Sequence, residues 1–322
     1  MRIVALESGD LPLDGQFFFI AGATCVASTN SHAVLDSLSP WRCRRRGSFE
    51  RSFELNVFVD AAAARSPGAR PHFRGLHHLV FAVFGERELF VFDLLRRSVS
   101  GVVSKETAED GLFWKNLLLP IALGVMGATI GLVPVHAACL DWNGRGLMIT
   151  GPSGAGKSTL AVALSQRGFS LVSDDWTYIT QERGRVTAYG ISAPVKLLAD
   201  AQRLFPELKG FQAAPSLNGE MAFEVDPARV FGSRVRSEST PSWLLFLERG
   251  DKAGCQILQC SRKGTRKFFE KSAERLPAQL AEAAAKRSEA FASLAKQECW
   301  LVRYGGPPRI AAEAIRGFCE GM

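Results

Sequence analysis

The first third of the chain reads as strands. Short apolar runs at residues 17–20, 53–59, 79–84, 89–95 and 99–103 are separated by turn-forming residues. In the second run Phe53, Leu55, Val57 and Val59 alternate with Glu54, Asn56 and Phe58, close to the period of two that buries one face of a strand. Residues 61–71, with Pro67, Gly68 and Pro71, read as a loop. Nothing in this half carries recognisable chemistry, and by default its work is substrate recognition or assembly.

The pattern changes further on, where a glycine loop, a helix and an apolar strand follow one another in a βαβ rhythm. An α/β fold is expected, with a mostly β N-terminal domain at 1–110 and a catalytic domain at 111–322, the boundary falling between 105 and 134. Residues 242–247 read as a buried strand. Residues 272–296 read as a long helix, with Leu276, Leu280, Ala283, Ala284, Phe291 and Leu294 at helical spacing. A last strand at 300–304 and a final helix at 309–319 flank the turn Gly305-Gly306-Pro307-Pro308. The uncharged stretch from Asn116 to Val135 has about the length of a bilayer span. Pro120, Pro134 and its glycines interrupt it, and it runs directly into the strand before the glycine loop, so it reads as a buried helix.

Composition narrows the picture. With 322 residues, 47% of them hydrophobic, the chain can build real cores. Glu7 and Asp10 break the apolar stretch a secretory signal would need, which points to the cytoplasm. The seven cysteines are an odd number without a Cys-x-x-Cys pair, and adjacent His77 and His78 have no metal-binding spacing. Reduced thiols and no protein-bound transition metal are expected. The net charge of +7 includes a dense run at Trp41-Arg42-Cys43-Arg44-Arg45-Arg46. Such a run is more often a solvated loop than a nucleic-acid contact, and an acidic peptide would use the same patch.

The chemistry lies in Gly151-Pro-Ser153-Gly154-Ala155-Gly156-Lys157-Ser158, which matches G-x-x-x-x-G-K-[ST] between an apolar strand at 146–150 and a helix at 159–167. In such a loop the backbone N–H groups of Gly151, Ser153, Gly154, Ala155, Gly156 and Thr159 turn toward phosphates. Lys157 neutralises the β- and γ-phosphates, and Ser158 offers a hydroxyl to magnesium. ATP and Mg2+ are the expected cofactors. A nine-residue helix carries the chain roughly 14 Å away, Gly168 ends it, and a strand of about five residues returns it to the same edge. Asp174 and Asp175 then emerge beside the loop, where open α/β sheets bind ligands. One carboxylate can hold magnesium while the other takes a proton from an attacking hydroxyl. Asn143-Gly144 marks a hairpin. Pairing Trp142 with Arg145 places His136 opposite Gly151, where it can touch phosphate or orient an aspartate.

These residues, Val135-His-Ala-Ala-Cys, the glycine loop and Arg167-Gly-Phe-Ser-Leu-Val-Ser-Asp-Asp175, together resemble the catalytic core of the HPr kinase/phosphorylase family. The resemblance implies a P-loop core akin to phosphoenolpyruvate carboxykinase and a protein serine as target. It also implies Asp174 as the base, supported by Asp175 and His136, with Ser158 and Asp175 as metal ligands. Residues 188–198 lack the family's Glu-x-Arg-Gly-x-Gly signature, so the resemblance does not extend to HPr as substrate, to the hexamer or to phosphorolysis. The chain is more similar to divergent HPr-kinase-related proteins, some of which phosphorylate a peptide serine in lasso-peptide pathways. In those a lysine sits in this loop, which makes Lys196 a candidate substrate or phosphate contact. The leading expectation is an ATP-dependent kinase of a seryl hydroxyl on a peptide or small protein, compatible with a homo-oligomer and with no membrane partner. A kinase of a small metabolite and a non-catalytic ATP-binding regulatory module are the alternatives.

Overall fold

The computed structural model describes residues 15–43, 51–60, 71–85, 88–191, 194–216, 219–261, 263–265, 269 and 281–322. Arg44 to Arg46, most of the loop expected at 61–71 and the first part of the helix expected at 272–296 lie outside these residues. The described chain is mixed α/β and divides into two units. One runs to Leu132 and includes residues 281–284; the other holds the remainder from Val133. The apolar helical run at 111–130 therefore falls in the first unit.

The first unit is built on a seven-stranded sheet of β1 (Gln16–Ile20), β2 (Ala23–Thr29), β3 (Ser52–Asp60), β4 (His72–Leu76), β5 (Leu79–Phe84), β6 (Glu88–Asp93) and β7 (Ser98–Ser104), in the order β1-β2-β3-β7-β6-β5-β4. The period-two reading of β3 holds, with Phe53, Leu55 and Val57 buried on one face. Two strands escaped the hydrophobic pattern: β2 is made largely of small and polar residues, and β4 is exposed along its length. Helices α1 (His32–Leu38) and α2 (Lys105–Glu109) follow β2 and β7.

The helical run α3 (Gly111–Ile130) has the length and composition of a membrane span, yet 56% of its apolar window is buried inside the protein. Its Trp114 indole donates to Thr107 O at 3.0 Å, and Phe113 meets Phe84 edge-on at 5.4 Å. A π-helical turn at Trp114–Leu118 leads into Pro120, whose missing N–H breaks the regular ladder. The helix stops at Ile130, short of the expected Val135, because Gly131 takes a left-handed conformation (φ 69°) that ends it.

In the second unit a six-stranded sheet combines β9 (Ala138–Trp142), β10 (Arg145–Thr150), β11 (Ser170–Ser173), β18 (Pro241–Arg249), β19 (Gly254–Gln259) and β20 (Glu298–Gly305) in the order β11-β9-β10-β18-β20-β19. A four-stranded sheet holds β8 (Val133–His136), β12 (Trp176–Glu182), β13 (Arg185–Tyr189) and β17 (Glu238–Ser239), and a small sheet holds β14 (Val195–Leu198), β15 (Ala214–Pro215) and β16 (Met221–Val225). Strands β10, β18 and β20 are parallel, so their carboxyl ends share one edge. Alternate side chains of the large sheet feed two cores. Leu140, Leu147, Ile149 and Leu245 pack with helices α4 (Lys157–Ser165) and α7 (Pro308–Glu320); Cys139, Met148 and Leu244 pack with Phe291 and Leu294 of α6 (Ala281–Leu294). A short helix, α5 (Pro227–Phe231), precedes β17.

Candidate active site

The Asn143-Gly144 turn forms as its sequence demands, with both residues at positive φ (52° and 86°) and Arg145 opposite Trp142. Buried Asp141 accepts the Gly144 N–H at 3.0 Å and fixes the turn. The ladder, however, ends at Ile149 opposite Ala138. Ala137 N–H bonds to Val135 O at 2.8 Å, the chain turns, and β8 joins the other sheet with His136 opposite Trp176. The expected pairing of His136 across the hairpin from Gly151 is therefore corrected: strand β9 does not continue that far. His136 still stands beside the loop, because Thr150 Oγ1 donates to its carbonyl at 3.1 Å.

After β10 the backbone turns through Gly154 and Gly156, at φ 77° and 90°. A side chain at Gly156 would be strained by that φ and would also meet the Tyr304 hydroxyl, 2.5 Å from the ideal Cβ position. Tyr304 in turn donates to Ala155 O at 3.2 Å. The helix starts at Lys157, two residues earlier than the sequence reading, with left-handed Gly156 as its N-cap. Lys157 Nζ donates to Gly151 O at 3.2 Å and Pro152 O at 3.4 Å, so the ammonium is folded over the loop. Burial holds its pKa below the ordinary lysine value, with nearby Asp175 opposing that shift.

Strand β11 returns the chain to this edge, two places from β10 with β9 between them. The two aspartates then separate. Asp175 is exposed and pairs with His136 Nε2 at 2.8 Å, while the His136 ring stacks on Trp176 at 5.4 Å. Asp174 is half-buried; its Oδ2 accepts Lys196 N–H at 3.0 Å and its carbonyl accepts Ser158 Oγ at 3.5 Å. Burial pushes the Asp174 carboxyl up to about 7, with the negative charge of Asp175 adding to the rise and the Lys196 N–H opposing it. Lys196 Nζ is paired with Glu220 Oε2 at 2.7 Å.

A cleft of about 510 Å³ lies over these groups. Of the expected loop residues, Ser153, Gly154, Gly156, Lys157, Ser158 and Thr159 line it. Gly151 and Ala155 stand behind, their carbonyls taken by Lys157 and Tyr304. His136, Asp175 and Lys196 line the same cleft, and Asp174, next to Asp175 in the chain, is at its margin rather than among the lining residues. Sequence reading missed Trp176, Arg249 and Tyr304, which also line it. Arg249 lies over the Tyr304 ring at 4.7 Å and stands at the carboxyl end of β18, directly beside the strand that leads into the loop. That position was the available signal, since ligands collect at the carboxyl edge of parallel strands.

The donor set suits magnesium. No group of three or more His, Cys, Asp or Glu side chains is gathered among the described residues. Magnesium needs only one or two protein oxygens besides phosphate and water, and Ser158 and Asp175 offer them in this cleft.

The family model of the HPr Serine kinase C-terminal domain matches residues 132–196, the segment from β8 to Lys196. The HPr kinase/phosphorylase of Verminephrobacter eiseniae is 31% identical over 143 residues, which are 44% of this chain and 37% of that protein. That of Geobacillus thermodenitrificans is 50% identical over 48 residues, 15% of this chain and 16% of that protein. The solved Hpr(Ser) kinase/phosphatase of Coxiella burnetii matches at 16% identity and a TM-score of 0.34, covering 59% of this chain and 98% of that one. The chain is thus similar to HPr kinases over residues 132–196, and it matches less than two fifths of the length of these curated relatives.

Proposed function

We propose that this chain is an ATP-dependent, magnesium-requiring kinase that phosphorylates a seryl hydroxyl of a peptide or small protein in the cytoplasm. The observation that carries the reading is the meeting, in one cleft, of a phosphate loop with the His136–Asp175 pair, and of Asp174 at its margin with a carboxyl raised to about 7. The similar proteins are named HPr kinase/phosphorylases, which supports kinase chemistry here. The odd cysteine count without a Cys-x-x-Cys pair is in keeping with a reducing compartment.

The loop N–H groups and Lys157 bind and orient the triphosphate, and Lys157 must leave the loop carbonyls it now holds to do so. Ser158 and Asp175 would hold magnesium, which would neutralise phosphate charge. His136 fixes the Asp175 carboxylate through the 2.8 Å contact, and Trp176 fixes the imidazole by stacking. The acceptor oxygen attacks phosphorus, a P–O bond forms, the bond to the departing diphosphate breaks, and the hydroxyl proton passes to Asp174. A base with a pKa near 7 is matched to that task at neutral pH.

Labelled ATP, a panel of serine-containing peptides and free serine test this reading. Label in peptide, lost in Asp174→Asn and Asp175→Asn, is the expected result. A parent protein that binds ATP but transfers label to no hydroxyl would leave a regulatory nucleotide-binding module in its place.

A further inference from the structure

Beside the cleft lies a second groove of about 410 Å³ that the proposed transfer does not use. The two share Leu204 and Pro308, so one runs into the other. Its lining mixes apolar Ala163, Leu204 and Phe205 with Gln166 and with Arg167, Arg203 and Arg309. These arginines differ in what they already hold. Arg167 is largely buried and paired with Glu313 at 3.2 Å. Arg203 and Arg309 are exposed and form no ion pair among the described residues. Two exposed guanidiniums lining one groove of mixed polarity attract carboxylates, which they can bind bidentately.

Building on the kinase reading, we infer that this groove docks an acidic segment of the acceptor peptide while its serine occupies the cleft. The far end of the groove, at Arg167, sets an upper bound on the spacing. Lys157 begins α4 beside the phosphates and Arg167 follows that helix's end, about ten residues and so roughly 15 Å further on. An extended peptide advances about 3.3 Å per residue, so at most roughly four or five residues separate the serine from the first carboxylate in the groove. Exposed Leu204, shared by both cavities, gives the intervening residues an apolar contact.

The test uses the full chain and dye-labelled peptides with one serine and three glutamates starting four residues away, on either side, each beside a glutamine counterpart. Binding is read by fluorescence anisotropy, which requires no transfer, and KM is read with MgATP. At low salt one glutamate peptide should bind about tenfold more tightly than its glutamine counterpart, with the gap shrinking as salt rises. Arg203→Glu/Arg309→Glu should abolish that preference and leave the KM for ATP unchanged. The milder Arg203→Gln/Arg309→Gln serves if the charge-reversed protein does not fold. Equal binding of glutamate and glutamine peptides by the parent, or a preference that survives loss of both arginines, overturns the inference. Tight acidic-peptide binding without transfer keeps the groove and removes the kinase reading; transfer indifferent to peptide charge does the opposite.

Discussion

Replacing Asp174 with asparagine should make the protein more stable and less active, and the two effects share one cause. Burial raises this carboxyl from 3.8 to about 7, so the folded chain binds its proton more tightly than the unfolded chain does. The contribution to stability is therefore fully present below about pH 4 and is lost as pH rises through 7. A rise of about three pH units corresponds to a ceiling of about 4 kcal/mol at 1.36 kcal/mol per unit, with solvent relaxation leaving less. The amide of Asp174→Asn carries no such penalty and keeps an oxygen for the Lys196 N–H. Urea unfolding at pH 5 and pH 8 should show the variant gaining on the parent at the higher pH. Activity moves the other way: transfer should fall about a hundred- to ten-thousandfold while the Kd for MgATP changes far less. In the parent, kcat should rise with pH up to about 7 and then level. A stability difference independent of pH, together with a flat parent rate profile from pH 5.5 to 8, would refute the reasoning.

Lys157→Ala removes the ammonium that meets the phosphates and should abolish turnover while the circular dichroism spectrum stays that of the parent; unchanged ATP turnover would show that the loop does not bind phosphate. Arg249→Ala should weaken MgATP binding measured by calorimetry about tenfold or more, since its guanidinium lines the same cleft, and Arg249→Lys should restore part of the loss. Gly156→Ala should cost about 2–4 kcal/mol in urea unfolding, from positive φ and from contact with the Tyr304 hydroxyl. Tyr304→Phe in the same chain should recover only the contact part, so strictly additive effects of the two changes would contradict the geometry.

Much of this was legible because the signals were local. Asn143-Gly144 fixed a turn and therefore a register, and glycines at 154, 156 and 168 fixed the points where the chain must reverse. The same turn at Arg183-Gly184, with Arg183 at φ 48°, joins β12 to β13 without an asparagine to announce it, and that hairpin was not read. Strands β2 and β4 were missed for a related reason: one carries few large apolar side chains and the other buries none, so period-two hydrophobicity has nothing to mark. Extrapolating the β9–β10 ladder to His136 failed because a ladder's end is set by sheet partners far away in sequence. Here β12 captures β8.

The aspartate pair shows where local reading stops. Adjacent residues on an extended segment point to opposite sides, which predicts that the two carboxylates meet different surroundings but not which is which. The assignment comes from Lys196, twenty-two positions away, whose backbone N–H anchors Asp174 at the cleft's margin, and from His136, which pairs with exposed Asp175. Environments that push two neighbouring carboxyls apart separate a proton acceptor from a metal ligand. The half-buried one, raised to about 7, suits the proton, and the exposed one, beside the phosphate loop, suits the cation. An exchange of these roles would require Asp174 to turn outward and give up the Lys196 N–H. The anchoring strand β14, paired along its length with β16, opposes that movement.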